Sequence, residues 1–192
     1  MCRNQVAEAA DPGVGALRVD RRRSWSTMPE LPELEIIREV LQRRVIGEVV
    51  AEVEVRPPGG PVVARDLTHR GFEVSLKGKA LKSVSRRGKL FIISLESSLP
   101  LYLAINPKLT GRLQLANPGD RLAAKTHVVV KFAGGRELRY LDQKQMGQLY
   151  LVSDLATIPG YADMGPEPLN LSLEAFRQRL RLFRGEIKGV LT

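Results

Sequence analysis

The segment His127-Val-Val-Val-Lys-Phe-Ala-Gly-Gly-Arg-Glu-Leu-Arg-Tyr-Leu141 decides the fold class that this sequence predicts. It holds two short runs in which β-branched, aliphatic and aromatic side chains are frequent. The residues between the runs, Ala133-Gly-Gly-Arg136, are typical of a short turn. The segment therefore predicts an antiparallel β-hairpin.

Similar short apolar runs recur on both sides of this hairpin, with turn-forming residues between them. The further strand candidates are Glu48–Val55, Lys89–Leu95, Leu101–Ile105, Gly111–Leu115 and Gln148–Val152. Many short strands with turn signals indicate a β-sandwich or a β-barrel. Residues 61–79 are ambiguous and fit one or two short helices.

Helical periodicity appears before and after the strand series. Between Pro32 and Arg44 apolar residues recur at helical spacing, and Gly47 follows the end of this segment. Near the other end of the chain, Ser172 can cap a second helix, and Gly185 is a plausible stop. The apolar face of that helix would consist of Leu173, Phe176, Leu180 and Phe183.

The composition favours a polyanionic partner. Among 192 residues, 30 Lys and Arg outnumber 21 Asp and Glu, so the formal net charge is +9 and the pI is about 10.0. Nucleic acid is favoured over a membrane, although an unrelated basic protein could have the same charge. A single cysteine, Cys2, and two histidines, His69 and His127, argue against a disulfide framework or a metal site within this chain.

Residues 1–27 differ from the rest of the chain because they show no sustained periodicity. We interpret them as a disordered or mis-annotated extension, with a genuine basic arm as the alternative. They lack the uninterrupted apolar segment of a signal peptide, and no run of 18 apolar residues occurs in the chain. The expected compartment is therefore the cytoplasm.

The octapeptide Met28-Pro-Glu-Leu-Pro-Glu-Leu-Glu35 has two interpretations. In the first it is an ordinary helix start, with Thr27 and Glu30 forming a capping box. In the second, translation begins at Met28, and removal of this methionine leaves the secondary amine of Pro29 as the N-terminus. Such an amine is a nucleophile that forms an iminium with a carbonyl-like carbon, and the adjacent Glu30 can move the required protons.

Four blocks of the sequence resemble the formamidopyrimidine-DNA glycosylase/endonuclease VIII family in their order and spacing. They are the octapeptide, Ser85-Arg-Arg-Gly-Lys-Leu90, Leu109-Thr-Gly-Arg-Leu113, and Met164-Gly-Pro-Glu-Pro-Leu169 followed by Ile187-Lys188. The resemblance implies an α+β fold with an N-terminal helix on an antiparallel β-sandwich over residues 28–155. It also implies that residues 160–192 begin a helix–two-turns–helix DNA-binding domain, and that the family's zinc finger would lie beyond Thr192.

The same resemblance implies catalytic roles for four residues. Pro29 would be the nucleophile that attacks the deoxyribose carbon bearing the damaged base, and Glu30 would protonate the sugar oxygen. Glu33, one helical turn further on, would be a supporting polar residue, although a solvated acid in the first turn is the alternative. Lys89 would reach the extruded nucleotide and its phosphate, although by itself a basic cluster beside a strand is usually a solvated edge.

The DNA-binding residues implied by the resemblance depart in part from the family pattern. Asp142-Gln-Lys-Gln-Met-Gly147 stands where relatives carry paired arginines and an aromatic wedge. Here Lys144 keeps a positive charge, and Met146 is a candidate wedge between base steps unless it is a core residue. The remaining candidates are Leu109 as a second wedge, and Lys125, His127, Arg184 and Lys188 as contacts to the DNA backbone.

The partner implied is double-stranded DNA with oxidised bases or abasic sites, bound by a monomer without a membrane. Two other hypotheses stay open at the level of sequence. One is a catalytically inactive DNA-binding fragment of such an enzyme, and the other is an unrelated basic β-domain that binds RNA.

Overall fold

The computed structural model describes residues 30–167 and 170–185. In chain order its elements are α1 (Leu31–Arg44), β1 (Val50–Val55), α2 (Gly60–Val63), β2 (Ala64–Asp66), α3 (Phe72–Leu76), β3 (Leu81–Arg87), β4 (Leu90–Leu95), β5 (Tyr102–Asn106), β6 (Gly111–Ala116), β7 (Thr126–Phe132), β8 (Glu137–Asp142), β9 (Gln148–Val152), a 3₁₀ turn (Leu155–Thr157) and α4 (Leu173–Leu180).

The strands form two sheets, which confirms the α+β prediction. The order is β1-β7-β8-β6 in the first sheet and β2-β9-β5-β4-β3 in the second. Neighbouring strands are antiparallel, except that β2 runs parallel to β9. The predicted hairpin is β7 and β8, in which Val130 pairs with Leu138. Two facing sheets correspond to the sandwich rather than to the barrel.

The main core lies between the two sheets and under α1. Val130 and Leu138 of the first sheet share one buried cluster with Ile93 and Ile105 of the second, and Leu34 of α1 joins them. None of the described core residues precedes Leu34. The described part of the sandwich core therefore requires no residue from the segment before α1.

A second apolar cluster covers the outer face of the second sheet. Ile158, Tyr161 and Met164 pack there against a group that includes Leu90 and Ile92 of β4. This second contact explains why β4 reads as an almost continuous apolar run, because the strand is buried on both faces.

The capping-box interpretation of the octapeptide is wrong. It requires Glu30 at the third helical position, whereas Glu30 is the N-cap of α1 and Pro32 lies in the first turn. Glu30 has extended dihedral angles, with φ −85° and ψ 171°, and the N-cap makes no side-chain capping hydrogen bond. Thr27 lies outside the described residues.

The sequence did not predict strand β3, because the apolar residues of this strand do not alternate. Leu81 and Val84 are the buried apolar positions, three residues apart, and the pairing with β4 shifts between Leu81 and Ser83. An extra residue at this bulge changes which face the following side chains occupy. Residues 61–79 contain α3 and most of α2, as predicted, and in addition the short strand β2.

The cap predicted for the last described helix is confirmed, because the Ser172 hydroxyl oxygen accepts a hydrogen bond from the Ala175 amide at 3.2 Å. Helix α4 ends at Leu180, however, and not at Gly185. Leu173, at the start of its apolar face, is 64% exposed.

Candidate active site

The first turn of α1 presents two of the residues predicted to carry the chemistry. Glu30 is exposed at the N-cap. Glu33 is partly buried, and its Oε2 atom is shielded from solvent without a hydrogen-bond partner among the described residues. Pro29 directly precedes Glu30 and lies outside the described residues. The roles of Pro29, Glu30 and Glu33 therefore stay predictions.

Arg86 joins α1 to two other segments beside this turn. Its side chain is only 3% exposed, and Nε donates to Glu35 Oε2 at 2.9 Å. Nη2 and Nη1 donate to the two carboxylate oxygens of Glu167 at 2.9 and 3.0 Å, and Nη1 also donates to the Gly88 carbonyl oxygen at 2.8 Å. We call Glu35, Arg86, Gly88 and Glu167 the Arg86 junction.

The junction favours the charged forms of its members. Burial by itself would raise the pKa of Glu35, but hydrogen bonds from Arg86 and Arg38 outweigh it and hold that pKa below its ordinary value. Burial likewise opposes the charge on Arg86, but the carboxylates of Glu167 and Glu35 raise its pKa. Arg86 and Glu35 are therefore an ion pair at neutral pH.

The turn between β3 and β4 is held by the same segment that carries Glu167. Gly88 has φ +54°, a conformation that residues with a Cβ adopt rarely, and its amide donates to Glu167 Oε2 at 3.1 Å. Arg87 Nη2 donates to the Met164 carbonyl oxygen at 2.9 Å, and its guanidinium carbon lies 4.6 Å from the centroid of the Tyr161 ring. This turn is thus fixed by main-chain and side-chain contacts together.

Three of the four sequence blocks meet at this place: the start of α1, the turn at 85–90, and residues 164–167. Lys89, predicted from the second block, directly follows Gly88 and is partly buried. Sequence reasoning did not single out Arg86, Glu35 or Glu167. Arg86 is 51 residues from Glu35 and 81 residues from Glu167, so no local pattern links the three residues. The one signal in the sequence was that each of them lies in one of the four blocks.

A second group of candidate residues gathers around the buried carboxylate of Asp142. Its Oδ1 accepts hydrogen bonds from the Thr110 hydroxyl and from the Lys144 amide, the latter at 3.1 Å. Its Oδ2 accepts from the Gly147 amide at 2.7 Å and from the Tyr140 hydroxyl at 3.3 Å. We call these five residues the Asp142 cluster. The cluster links the loop after β5, which carries Leu109, to the loop after β8, which carries Met146.

The hydrogen bonds of the cluster keep Asp142 ionised. Burial alone would raise the pKa of this fully buried carboxyl, but the bonds from Thr110, Gly147, Lys144 and Tyr140 lower it overall. Burial and the nearby carboxylate of Asp142 raise the pKa of Tyr140 far above its usual range, so Tyr140 keeps its proton.

Two glycines allow the chain to approach Tyr140 closely. A Cβ added at Gly147 would lie 1.7 Å from the Tyr140 hydroxyl oxygen, and one added at Gly111 would lie 2.4 Å from it. Both contacts are far inside van der Waals distance, so only glycine fits this arrangement. The glycines at the two ends of the neighbouring loops are therefore required by packing.

The side chains predicted to contact DNA from these loops differ in exposure. Lys144 is exposed, Met146 is 47% exposed, and Leu109 is partly buried. Lys125 is also exposed, and its carbonyl oxygen accepts a hydrogen bond from the Asp142 amide at 3.0 Å. The exposure of Met146 argues against the alternative that it is a core residue. DNA contacts by these residues stay predictions.

His127 does not fit the prediction of a contact to the DNA backbone. His127 is only 4% exposed. Its Nε2 atom lies 2.7 Å from the Asp142 carbonyl oxygen, and because a carbonyl oxygen can only accept, Nε2 must donate this hydrogen bond. The ring packs so closely on Gly59 that a Cβ there would lie 2.3 Å from it, with Gln145 Nε2 3.0 Å away. His127 therefore supports the loop after β8 from inside. Its position on an apolar strand was the signal for burial.

The remaining predicted residues lie near the end of the chain. Arg184 is exposed, and Lys188 lies outside the described residues. Within 30–167 and 170–185 no three His, Cys, Asp or Glu side chains converge so as to hold a metal ion. Helices in these same ranges lack the length and apolar character that crossing a membrane requires.

Comparison with known proteins identifies relatives of the chain. Residues 28–149 match the sequence profile of the formamidopyrimidine-DNA glycosylase N-terminal domain. The chain is 37% identical over 150 residues to the formamidopyrimidine-DNA glycosylase of Moorella thermoacetica, covering 77% of this chain and 53% of the relative. For the protein of the same name from Parafrankia sp. the identity is 37% over 176 residues, covering 85% and 60%. The chain thus spans between half and two-thirds of the length of these relatives.

Solved structures give the same relationship. The Lactococcus lactis Fpg protein in a complex with DNA containing an abasic site superposes with a TM-score of 0.68 at 29% identity, over 85% of this chain and 60% of that protein. The complex of Lactococcus lactis Fpg with DNA containing FAPY-dG gives a TM-score of 0.61 at 29% identity, over 72% and 51%.

Proposed function

Because the chain belongs to the formamidopyrimidine-DNA glycosylase family, we propose that it is a base-excision repair glycosylase with lyase activity. Its substrate is double-stranded DNA that contains oxidised bases or abasic sites. The net charge of +9 and the DNA in the complexes of the Lactococcus lactis protein support this partner. The protein acts as a monomer in the cytoplasm, at the nucleoid.

The observation that carries this proposal is the Arg86 junction. It ties the helix that begins directly after Pro29 and Glu30 to the turn that precedes Lys89. The proposed proton donor Glu30 and the proposed cation Lys89 thus lie next to elements that Arg86 bonds together, and Pro29 precedes Glu30 in the sequence. Such an arrangement is what attack on a sugar carbon next to a phosphate requires.

The reaction begins at the nitrogen of Pro29. An N-terminal amine has an ordinary pKa of about 8, compared with about 10.4 for lysine, so more of it is unprotonated at neutral pH. Its lone pair forms a bond to C1′ of the deoxyribose while the bond from C1′ to the base breaks, and the base leaves with the bonding electrons. Lys89 assists this step by neutralising charge on the nucleotide and its phosphate.

Once bonded to C1′, the Pro29 nitrogen releases its proton to the Glu30 carboxylate, and Glu30 donates this proton to the ring oxygen as the bond between that oxygen and C1′ breaks. The nitrogen lone pair completes a C1′=N⁺ iminium. This iminium withdraws electrons, so a proton is lost from C2′ and the 3′-phosphate departs, which cuts the strand. Glu33, with its shielded Oε2, supports the polar surroundings of this turn.

The damaged nucleotide must leave the duplex before this chemistry, at a cost of a few kcal/mol. Met146 and Leu109 fill the gap in the base stack, and the bond from the Lys144 amide to the Thr110 hydroxyl, which links their two loops, supports this role. Lys144, Lys125, Arg184 and Lys188 contact the phosphates of the DNA. A lysine at 144 cannot form the bidentate fork of an arginine, so the base opposite the lesion is read less strictly.

This chemistry has one condition, namely that Pro29 is the first residue of the polypeptide. With any residue attached before it, the nitrogen of Pro29 is an amide nitrogen without a nucleophilic lone pair. A form that begins at Met1 is then a DNA-binding protein without glycosylase activity. That second function is favoured only for this longer form.

Borohydride trapping on abasic-site DNA tests the proposal with two forms of the protein. One begins at Met1, and the other is produced from Met28 and has lost this methionine. The described core begins at Leu34, so the shorter form retains it. We expect a covalent protein–DNA adduct on a denaturing gel only with the shorter form.

Each other outcome contradicts a part of the proposal. An adduct with the Met1 form would show that Pro29 is not the nucleophile. No adduct with either form, while both bind the DNA in an anisotropy measurement, would leave the inactive DNA-binding protein as the correct function.

A further inference from the structure

The Arg86 junction contains a buried cation that makes four directional hydrogen bonds. The guanidinium donates to α1, to the turn before Lys89 and to both oxygens of Glu167. Glu167 has a further bond, from the Gly88 amide at 3.1 Å. Three segments that are distant in sequence are therefore held by one side chain that is 3% exposed.

Stabilisation alone is a weak explanation for such a group. Removing a guanidinium and carboxylates from water costs much of what their attraction returns, so a buried ion pair contributes little to stability. What the guanidinium does supply is geometry, because its planar fork fixes both distance and angle to each carboxylate. The junction is therefore suited to fixing the position and orientation of α1, the turn at Gly88 and the segment that carries Glu167 relative to one another.

The two halves of α1 are held in different ways. The C-terminal half is anchored by Leu41 and Val45 in the core and by Gln42 Oε1, which accepts from the Val84 amide at 2.8 Å. In the N-terminal half, Leu34 is buried, which fixes its depth, but apolar packing tolerates rotation and sliding. Among the described residues, this half makes its polar contact with β3 through the bond between Glu35 and Arg86.

We propose that Arg86 is a positioning residue, which sets the orientation of the first turn of α1 relative to the turn at Gly88 and Lys89. This inference rests on the proposed function, in which Pro29 and Glu30 act at the start of that helix. Glu167 has the complementary task of holding Arg86 in the rotamer that reaches Glu35. Neither residue touches the nucleotide.

Loss of Arg86 or Glu167 should lower the rate of reaction and leave the affinity for DNA unchanged. An error of about 1 Å in the placement of reacting groups can cost about 100-fold in rate. Arg86→Lys keeps the charge but cannot reach three partners, and Glu167→Gln weakens the fork without changing its shape. We expect each to slow the single-turnover trapping rate at saturating DNA by about 100-fold. The two together should be little slower than either alone, because they remove one and the same contact.

Arg139→Lys is the matched control. Arg139 is also 3% exposed, pairs with Glu137 and donates to the carbonyl oxygens of Asp120 and Arg121, but it has no contact with the Arg86 junction among the described residues. It should lower stability without slowing the trapping rate. A second measurement is hydrogen–deuterium exchange, in which Arg86→Lys should raise exchange in α1 residues 31–37 and Arg139→Lys should not.

The outcomes separate this inference from the proposed function. Trapping by Arg86→Lys at the parental rate, or equal slowing by Arg139→Lys, would overturn the role of Arg86. No trapping by the parental form beginning at Pro29 would overturn the proposed function. In that case hydrogen–deuterium exchange still tests the positioning role of Arg86. Unchanged exchange in residues 31–37 of Arg86→Lys would overturn that role by itself.

Discussion

Replacing Asp142 by asparagine tests the Asp142 cluster most directly. Each carboxylate oxygen accepts two hydrogen bonds in the protein, and the residue is fully buried. An asparagine keeps one acceptor oxygen, but its NH₂ group then faces donors. The Tyr140 hydroxyl can rotate and accept from this group, whereas the Gly147 amide can only donate and is left unpaired.

The expected loss of stability follows from the number of hydrogen bonds that Asp142→Asn removes or weakens. An unsatisfied buried donor costs about 1–3 kcal/mol, and bonds to a charged acceptor are worth about 1.5–3 kcal/mol, compared with about 1 kcal/mol for neutral pairs. We therefore expect Asp142→Asn to lower the free energy of unfolding by about 3 kcal/mol at neutral pH. Asp120→Asn is the control, because exposed Asp120 accepts one bond, from the Asn117 amide at 2.8 Å. It should cost less than about 1 kcal/mol.

The loss should also depend on pH. The folded-state pKa of Asp142 is depressed, so its contribution is fully present above the unfolded-state pKa of about 3.9 and disappears as the pH falls through the lower, folded value. The asparagine does not titrate. The difference in stability between the parental protein and Asp142→Asn should therefore shrink below about pH 4.

Urea unfolding of both variants across this pH range provides the measurement. A loss at pH 7 no larger than that of Asp120→Asn would refute the reasoning. So would a difference that stays constant down to the lowest pH at which the parental protein remains folded.

Three further predictions concern the same loops. Gly147→Ala should destabilise the protein by about 1–3 kcal/mol or more because its Cβ would overlap the Tyr140 hydroxyl, whereas Gly165→Ala, with its nearest atom 3.9 Å away, should be close to neutral in thermal unfolding. Lys144→Ala should leave stability unchanged and lower the slope of log K against log salt by about 1 in DNA-binding titrations, and an unchanged slope would exclude a phosphate contact. Met146→Asp should weaken binding to abasic-site DNA much more than Met146→Leu does, since only an apolar side chain enters a base stack at low cost; equal affinities would exclude the wedge.

Local sequence patterns predicted much of the fold because they report local forces. The hairpin of β7 and β8 follows from two apolar runs and a glycine-containing turn, and the Ser172 cap involves atoms three residues apart. Strand β3 was not predicted because the bulge after Leu81 breaks the alternation of apolar and polar residues by which strands are recognised. Helix α1 was predicted, but its first residue was misjudged in the capping-box reading, because Thr27 and Glu30 have the right spacing for a motif the chain does not form.

The site was predictable only in part. The blocks that contain Glu30 and Lys89, and the segment 142–147 that contains Lys144, could be recognised in the sequence, and their chemistry follows from residue types that attack, neutralise or bind. His127 was assigned to the DNA surface because its segment touches the DNA backbone in the family that the sequence resembles. In the folded chain its ring is enclosed by Gly59 and donates to the Asp142 carbonyl oxygen.

By itself, the sequence determined most of the strand series, the two main helices and the identity of the candidate reactive groups. These depend on periodicity, turn chemistry and side-chain type, which are properties of neighbouring residues. Only the tertiary structure decided which groups are buried and which are bound to one another. Arg86 meets Glu35 and Glu167 across 51 and 81 residues, and Thr110 meets Asp142 across 32. Such bonds depend on angles and distances to within about 0.5 Å, which exist only once the two sheets have packed.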